Sequence, residues 1–306
     1  MSQEIARIVN NLMTRCGLPL SNTPIDEEFL QLCLENAAAA RGCPMEAAPG
    51  IPAFRPFISI GATMAYTSYG HLESLPATLY IALHATLVTY IEDVYSDQPD
   101  LVNAFNHSFV MRLPQQTAVL QKLDDLLAET SKHFDAIQAN LILTSTMNFM
   151  TSIAIEYGVN KLNLRPEADG FPQFLRGLSG ISCAYCMFIF PKDVHIDSYI
   201  QAIPSMMDFI NHMNDVLSFH KEEVNGDNNN YISIMSKHRG VQKIETLEQL
   251  TKLVASSYEA ANNILRTSSA AHAAWGRFTQ GYISFHASYA RYRLHEVLQV
   301  SQDSIL

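Results

Sequence analysis

Asn214, Ser218 and Glu222 stand four residues apart in the run HMNDVLSFHKEEVNGDNNNYIS. On a helix, positions i, i+4 and i+8 share one face, so an amide oxygen, a hydroxyl and a carboxylate stack along about two turns. Oxygen donors of modest charge suit Mg²⁺, a hard cation that is often shared with substrate phosphates. A polar helix face in water is the plainer reading of the same three residues. A second acidic group lies upstream in TLVTYIEDVYSDQPD, where Glu92, Asp93 and Asp97 close an apolar helix. Two carboxylates at the negative end of a helix dipole repel each other unless a cation neutralises them. The i, i+4 spacing favours Asp93 with Asp97 as that pair. A metal-bound diphosphate also needs cationic donors, and the candidates are Arg176, Lys221 and Arg291 beside Tyr292. Arginine offers a planar fork to phosphate oxygens, and lysine a point charge.

Helices must position these groups. Apolar periodicity predicts helices near 3–16, 25–41, 57–70, 76–97, 100–110, 115–129, 131–158, 171–190, 194–223, 244–267 and 270–300. Breaks fall where Pro, Gly or Asn cluster, at 42–56, 158–169, Pro191-Lys192 and NGDNNN at 225–230. No alternating strand segment, repeat or compositional boundary interrupts the pattern, so the expectation is one all-α domain over 1–306. In a helical bundle, ligands on facing helices come within reach of one another. Aromatic residues interleave with small polar ones in MAYTSYG, STMNFMTSIAIEYG and GYISFHASYARYR. Tyr66, Tyr69, Phe149, Phe285 and Trp275 are candidate π-faces, which attract a cation. Core packing is the competing reading, and the stronger one for most of the aromatic residues in these runs, Trp275 included.

Composition narrows the classes. The chain is 48% hydrophobic and 16% charged, as a protein with a sizeable core would be. A net charge of −10 argues against nucleic acid as a partner. No apolar run reaches a membrane span, and Glu4 and Asn10 stand where a signal peptide needs an apolar stretch. A cytoplasmic protein is expected. Five cysteines make no disulfide framework. Cys183 and Cys186 form a CxxC with apolar flanks, which reads as helix cysteines in a core more than as a redox or zinc site. His84, His212, His220 and His286 read as satisfied core or surface histidines. No GxGxxG or P-loop is present.

The chain resembles the fungal trichodiene synthase-like class I sesquiterpene synthases. The resemblance is carried by PQFLRGLSG around Arg176, NDVLSFHKE at 214–222, YISIMSK at 231–237 and GYISFHASYARYRLHEV at 281–297. It runs from about residue 60 to 298 and is looser through the acidic helix. It implies an α-helical terpenoid synthase bundle around a central cavity, three Mg²⁺ ions, farnesyl diphosphate as substrate, inorganic diphosphate as product, and a homodimer. By resemblance, Arg176 senses the diphosphate, Asn214, Ser218 and Glu222 bind one Mg²⁺, and Lys221, Arg291 and Tyr292 hold the diphosphate. The acidic helix would bind the remaining metals. Two departures stand out. The family opens its first metal motif with paired aspartates where this chain has Glu92-Asp93, so register favours Glu92 and spacing favours Asp93. An aspartate after the second motif is replaced by Asn230. A chain-elongating prenyltransferase and a non-catalytic isoprenoid- or partner-binding protein are the alternatives.

Overall fold

The computed structural model describes residues 2–39, 42–48, 51–159, 162 and 164–298. In chain order its helices are α1 (Ser2–Cys16), α2 (Glu27–Ala39), α3 (Arg55–Tyr69), α4 (Leu75–Tyr95), α5 (Pro99–Met111), α6 (Ala118–Ala128), the single turn α7 (Thr130–His133) and α8 (Ala136–Val159). They continue as α9 (Phe171–Ser179), α10 (Ser182–Phe188), α11 (Ile203–Asn225), α12 (Tyr231–Arg239), α13 (Lys243–Leu265) and α14 (Ser269–Ser288). No strand occurs among the described residues.

Local chemistry sets where the long helices start and stop. The Ser74 hydroxyl accepts the Ala77 N–H, with Pro76 in the first turn of α4. Asp135 accepts from the N–H groups of Ile137 and Gln138 at 2.8 and 2.9 Å, opening α8. Ser268 does the same for α14. Gly226, with φ +70°, closes α11 in the left-handed region that glycine adopts without cost. Between those limits α4 is buried on almost every face, from Ala77 to Ile91, as the central helix of a bundle must be.

α3 lies between α4 and α14, and α11 packs on α13. The approach of α3 to its neighbours depends on missing side chains. A Cβ at Gly281 of α14 would lie 1.9 Å from the Thr67 carbonyl oxygen, and one at Gly61 would lie 2.2 Å from that of Ala82 on α4. These contacts bring the acid-bearing end of α4 and the C-terminal end of α14 to one end of the bundle.

The structure subdivides several predicted helices. The segment 171–190 breaks at Gly180, because Ile181 takes φ +48°, and becomes α9 and α10. The segment 131–158 breaks at Phe134, which is extended, and 194–223 begins with two 3₁₀ turns before α11. α14 ends at Ser288, where 270–300 had been expected to continue, and 3₁₀ turns carry Arg291 and Tyr292. Residues 40–41 and 299–300, at the ends of two expected helices, lie outside the described residues. An unexpected helix, α12, follows NGDNNN, and Asn230 is its cap.

Gly281→Ala is expected to destabilise the protein by about 1–3 kcal/mol, the usual cost of overpacking. A urea melt would show it as a lower midpoint with the slope unchanged.

Candidate active site

A cavity of about 170 Å³ opens into a polar cleft of about 480 Å³ at one end of the bundle, and Glu92, Arg176, Ser179, Asn214 and Glu222 border both. The inner walls are apolar, built from Ile60, Met64, Val88, Phe149, Ile210 and Phe285. Lys221, Arg291 and Tyr292 line the same cavity nearer its polar end. Ion chemistry and hydrocarbon surface therefore meet across one short boundary.

Arg176, from α9, is anchored on α11. Its Nε lies 2.9 Å from Asp215 Oδ1, and its Nη2 donates to the Asn211 carbonyl at 2.9 Å and to Asn214 Oδ1 at 3.2 Å. Burial alone would depress the guanidinium pKa, and the facing Asp215 carboxylate raises it instead. Asp215 also meets His212 Nδ1 at 2.9 Å, and His212 Nε2 reaches Gln173 Oε1 at 3.1 Å. Against the cost of burial, Arg176 and then His212 hold the Asp215 carboxyl below its usual range. A Cβ at Gly180 would fall 1.9 Å from Asn211 Oδ1 and 3.0 Å from Arg176 Nη1, so this glycine makes room for the anchored arginine.

The second motif lies along one face of α11. Asn214 and Glu222 reach the cavity, and buried Ser218 sits between them. Burial raises the Glu222 pKa, opposed by the Ser218 hydroxyl and Lys221. Lys221 Nζ is 3.9 Å from Glu222 and 5.7 Å from the centre of the Tyr292 ring. Asn214 Nδ2 faces His286 Nε2 at 3.2 Å.

On the acidic helix the two neighbours separate. Glu92 borders both cavity and cleft, whereas Asp93 is held by a two-pronged ion pair with Arg291, one prong 2.8 Å long. Asp97 lies in the turn beyond the end of α4, so the i, i+4 argument for Asp93 with Asp97 does not apply; Asp97 borders the cleft with Glu92. Glu92 is open to cleft water yet surrounded by protein, and burial and Asp93 raise its pKa while Arg291, Arg176 and Lys221 oppose the shift.

Two carboxylates of the cleft carried no sequence signal. Glu156 of α8 has its pKa raised to about 7, chiefly by burial and by Glu92. Asp227 follows α11 on the same cleft. Asn230 borders the cleft too, but its Oδ1 is used to accept the Ser233 N–H at 2.8 Å as the α12 cap.

Of the candidate aromatic faces, Phe149 and Phe285 line the cavity. Tyr66 and Tyr69 are not among its walls: Tyr66 packs on Phe29 at 5.7 Å, and Tyr69 is fully buried with its hydroxyl on the Tyr185 carbonyl. They point away because the face of α3 toward the cavity carries Ile60 and Met64. Trp275 is fully buried against Phe209 and Phe278, in the core. Tyr185 and Tyr282, unforeseen, complete the aromatic lining. The CxxC cysteines are unpaired on α10, and burial raises both thiol pKa values. His84 meets Thr146 at 3.0 Å and His220 meets Glu296 at 3.0 Å.

No three His, Cys, Asp or Glu side chains among the described residues form a metal cage by themselves. The oxygen donors that face the cleft include an amide, so a divalent ion would draw on mixed ligands from α4 and α11.

A family model described as Trichodiene synthase (TRI5) matches residues 61–305. The chain belongs to the trichodiene synthase family. Its relatives include alpha-cuprenene synthase COP6 of Coprinopsis cinerea, 34% identical over 96% of this chain and 90% of that protein. Terpene synthase BipA of Cochliobolus sativus is 33% identical over 78% of this chain and 75% of its own length. Among solved structures, the linalool/nerolidol synthase of Streptomyces clavuligerus shares the fold with a TM-score of 0.61 at 13% identity, covering 90% of this chain and 96% of that one. The chain is accordingly an all-α terpene synthase, a lyase acting on prenyl diphosphates. No helix among its described residues is long and apolar enough to cross a membrane.

Glu156 supplies a pH test. Its folded pKa lies near 7 and its ordinary value is 4.5, so the folded protein holds the proton more tightly. Stability contributed by the neutral carboxyl is present below pH 4.5 and is lost as pH rises to 7. Metal-free Glu156→Gln should melt close to wild type at the acid end and increasingly above it toward neutrality. Parallel melting curves across that window would show that Glu156 carries no such penalty.

Proposed function

We propose that this terpene synthase is a Mg²⁺-dependent sesquiterpene synthase that ionises farnesyl diphosphate and cyclises the resulting carbocation. The observation that carries the reading is the cavity and adjoining cleft, with oxygen donors and cations at one end and aromatic, apolar walls at the other. The continuous core supports treating residues 1–306 as one catalytic domain.

The residues present fit a divalent ion. Glu92, Glu156 and Glu222 border one cleft, and burial first, with neighbouring carboxylates adding to it, raises the pKa of each, so a cation there would be favoured. Asn214, Ser218 and Glu222 would hold one ion, and Glu92 and Asp97 would hold others; Asp93 serves by fixing Arg291. When bound, Mg²⁺ supplies Lewis-acid stabilisation to a departing diphosphate.

The protein's own groups do the rest. Arg176 presents its guanidinium toward the cleft, pre-oriented by Asp215 and the Asn211 carbonyl, so little reorganisation is needed when anionic charge develops. Lys221, Arg291 and Tyr292, which line the same cavity, would hold diphosphate oxygens as well. Phe149, Phe285 and Tyr282 would flank the hydrocarbon chain and stabilise migrating positive charge through their π-faces. The apolar walls exclude water that would quench the cation.

Incubation of purified protein with farnesyl diphosphate and Mg²⁺, followed by gas chromatography–mass spectrometry, should give a sesquiterpene that EDTA abolishes. Glu222→Ala should lower kcat on the order of 10²–10³-fold, as removal of a single electrostatic stabiliser does. Turnover of geranyl diphosphate alone would overturn the chain length, and lengthening with isopentenyl diphosphate would overturn cyclisation in favour of prenyl transfer.

A further inference from the structure

We propose that His286 is a positioning residue that sets the orientation of the Asn214 side-chain amide, turning its oxygen toward the cleft. The inference rests on the metal-binding reading of Asn214 given above.

His286 is fully buried on α14. Its ring is clamped by Tyr292 at 4.3 Å, Tyr282 at 4.6 Å and Phe285 at 5.1 Å. Nδ1 lies 2.7 Å from the Tyr282 carbonyl oxygen, one turn back. A carbonyl only accepts, so Nδ1 carries the proton and Nε2 of the neutral ring carries a lone pair. That lone pair faces Asn214 at 3.2 Å and requires a donor there, the amide Nδ2.

A second constraint, from another helix, reaches the same answer. On the far side of the amide, Arg176 Nη2 approaches at 3.2 Å. A guanidinium has donors only, so the atom it meets must be the amide oxygen. Turning the amide over would set NH₂ against guanidinium. It would also demand a second proton on an imidazole enclosed by three aromatic rings. One orientation satisfies both neighbours.

The consequence belongs to asparagine specifically. A carboxylate presents oxygen whichever way it turns, whereas an amide is a ligand on one side and a repulsive NH₂ on the other. Using Asn in the α11 motif thus requires a device that distinguishes the two sides, and a tautomer-locked histidine is such a device.

The test measures Mn²⁺ binding directly, by loss of the free-ion electron paramagnetic resonance signal, with inorganic diphosphate present and no turnover. His286→Phe keeps a ring of similar shape without the acceptor and should weaken Mn²⁺ binding by about 10–100-fold, the usual effect of removing a ligand-orienting partner. In an Asn214→Asp background the same substitution should cost far less, because no orientation remains to be set. His286→Gln, which restores an acceptor, should recover much of the binding and remains informative if the Phe variant folds poorly. Equal losses in the wild-type and Asn214→Asp backgrounds would reduce His286 to packing and overturn the assignment. So would unchanged binding in His286→Phe. If wild type itself bound no Mn²⁺ with diphosphate, the metal reading of the cleft would fail and take this assignment with it.

Discussion

A buried carboxylate, Asp215, is the fixed point to which the rest of the site is referred. One of its oxygens meets Arg176 from α9 and the other meets His212 on its own helix. A charge taken out of water is costly unless both its oxygens are satisfied, and removing one partner of such a pair costs far more than the pair contributes. The register of α9 against α11 is therefore not free to drift. Arg176 must sit where Asp215 is, and Gly180 must follow it without a side chain. From that anchor Arg176 reaches Asn214, Asn214 reaches His286, and His286 reaches the Tyr282 backbone, so α9, α11 and α14 are joined in one polar chain across an otherwise apolar core.

Charge at the cleft is unevenly matched. Arg176 already neutralises Asp215, and Arg291 already neutralises Asp93. Glu92, Glu156 and Glu222 border the same cleft with pKa values raised chiefly by burial, and Lys221, 3.9 Å from Glu222, is the remaining cation beside them. A protein folded only for stability would gain from replacing such acids with apolar or amide side chains. A protein that receives its ligand together with divalent cations gains the opposite, because the cations and the anionic ligand complete the charge balance at the moment of binding. On the metal-dependent reading proposed above, the substrate complex rather than the fold would relieve the crowding of these acids.

The sequence disclosed what is local. Spacing within α11 put Asn214, Ser218 and Glu222 on one face, and periodicity gave nearly all the long helices. Non-local placement was not legible. Glu156 is a lone acid in an apolar helix, and it joins the cleft only because the fold sets α8 beside α9 and brings Glu92 of α4 within electrostatic reach. Tyr66 and Tyr69 looked suited to a cavity wall, but an aromatic in a run apolar on most sides does not say which side meets the hollow. The pairing of Asp97 with Asp93 failed for a simpler reason: helix spacing was applied across Ser96, where α4 has ended, although Asp97 itself borders the cleft. The histidines were read as satisfied groups, and His212 and His286 are indeed satisfied, yet their partners are site residues. Resemblance put Glu92 at the head of the first motif and spacing put Asp93 there; the structure gives Glu92 the cavity and Asp93 to Arg291.

The Asp93–Arg291 pair joins residues 198 positions apart in the chain. During synthesis, N-terminal segments emerge and begin to fold first, at roughly 5–20 residues per second. The acid-bearing end of α4 thus waits on the order of ten seconds or more for the arginine that covers it. For that interval the helices of the inner wall can pack while the cleft still lacks Arg291, Tyr292 and the ring of His286. The polar end of the cavity is therefore completed last, after the residues of its apolar wall have been made.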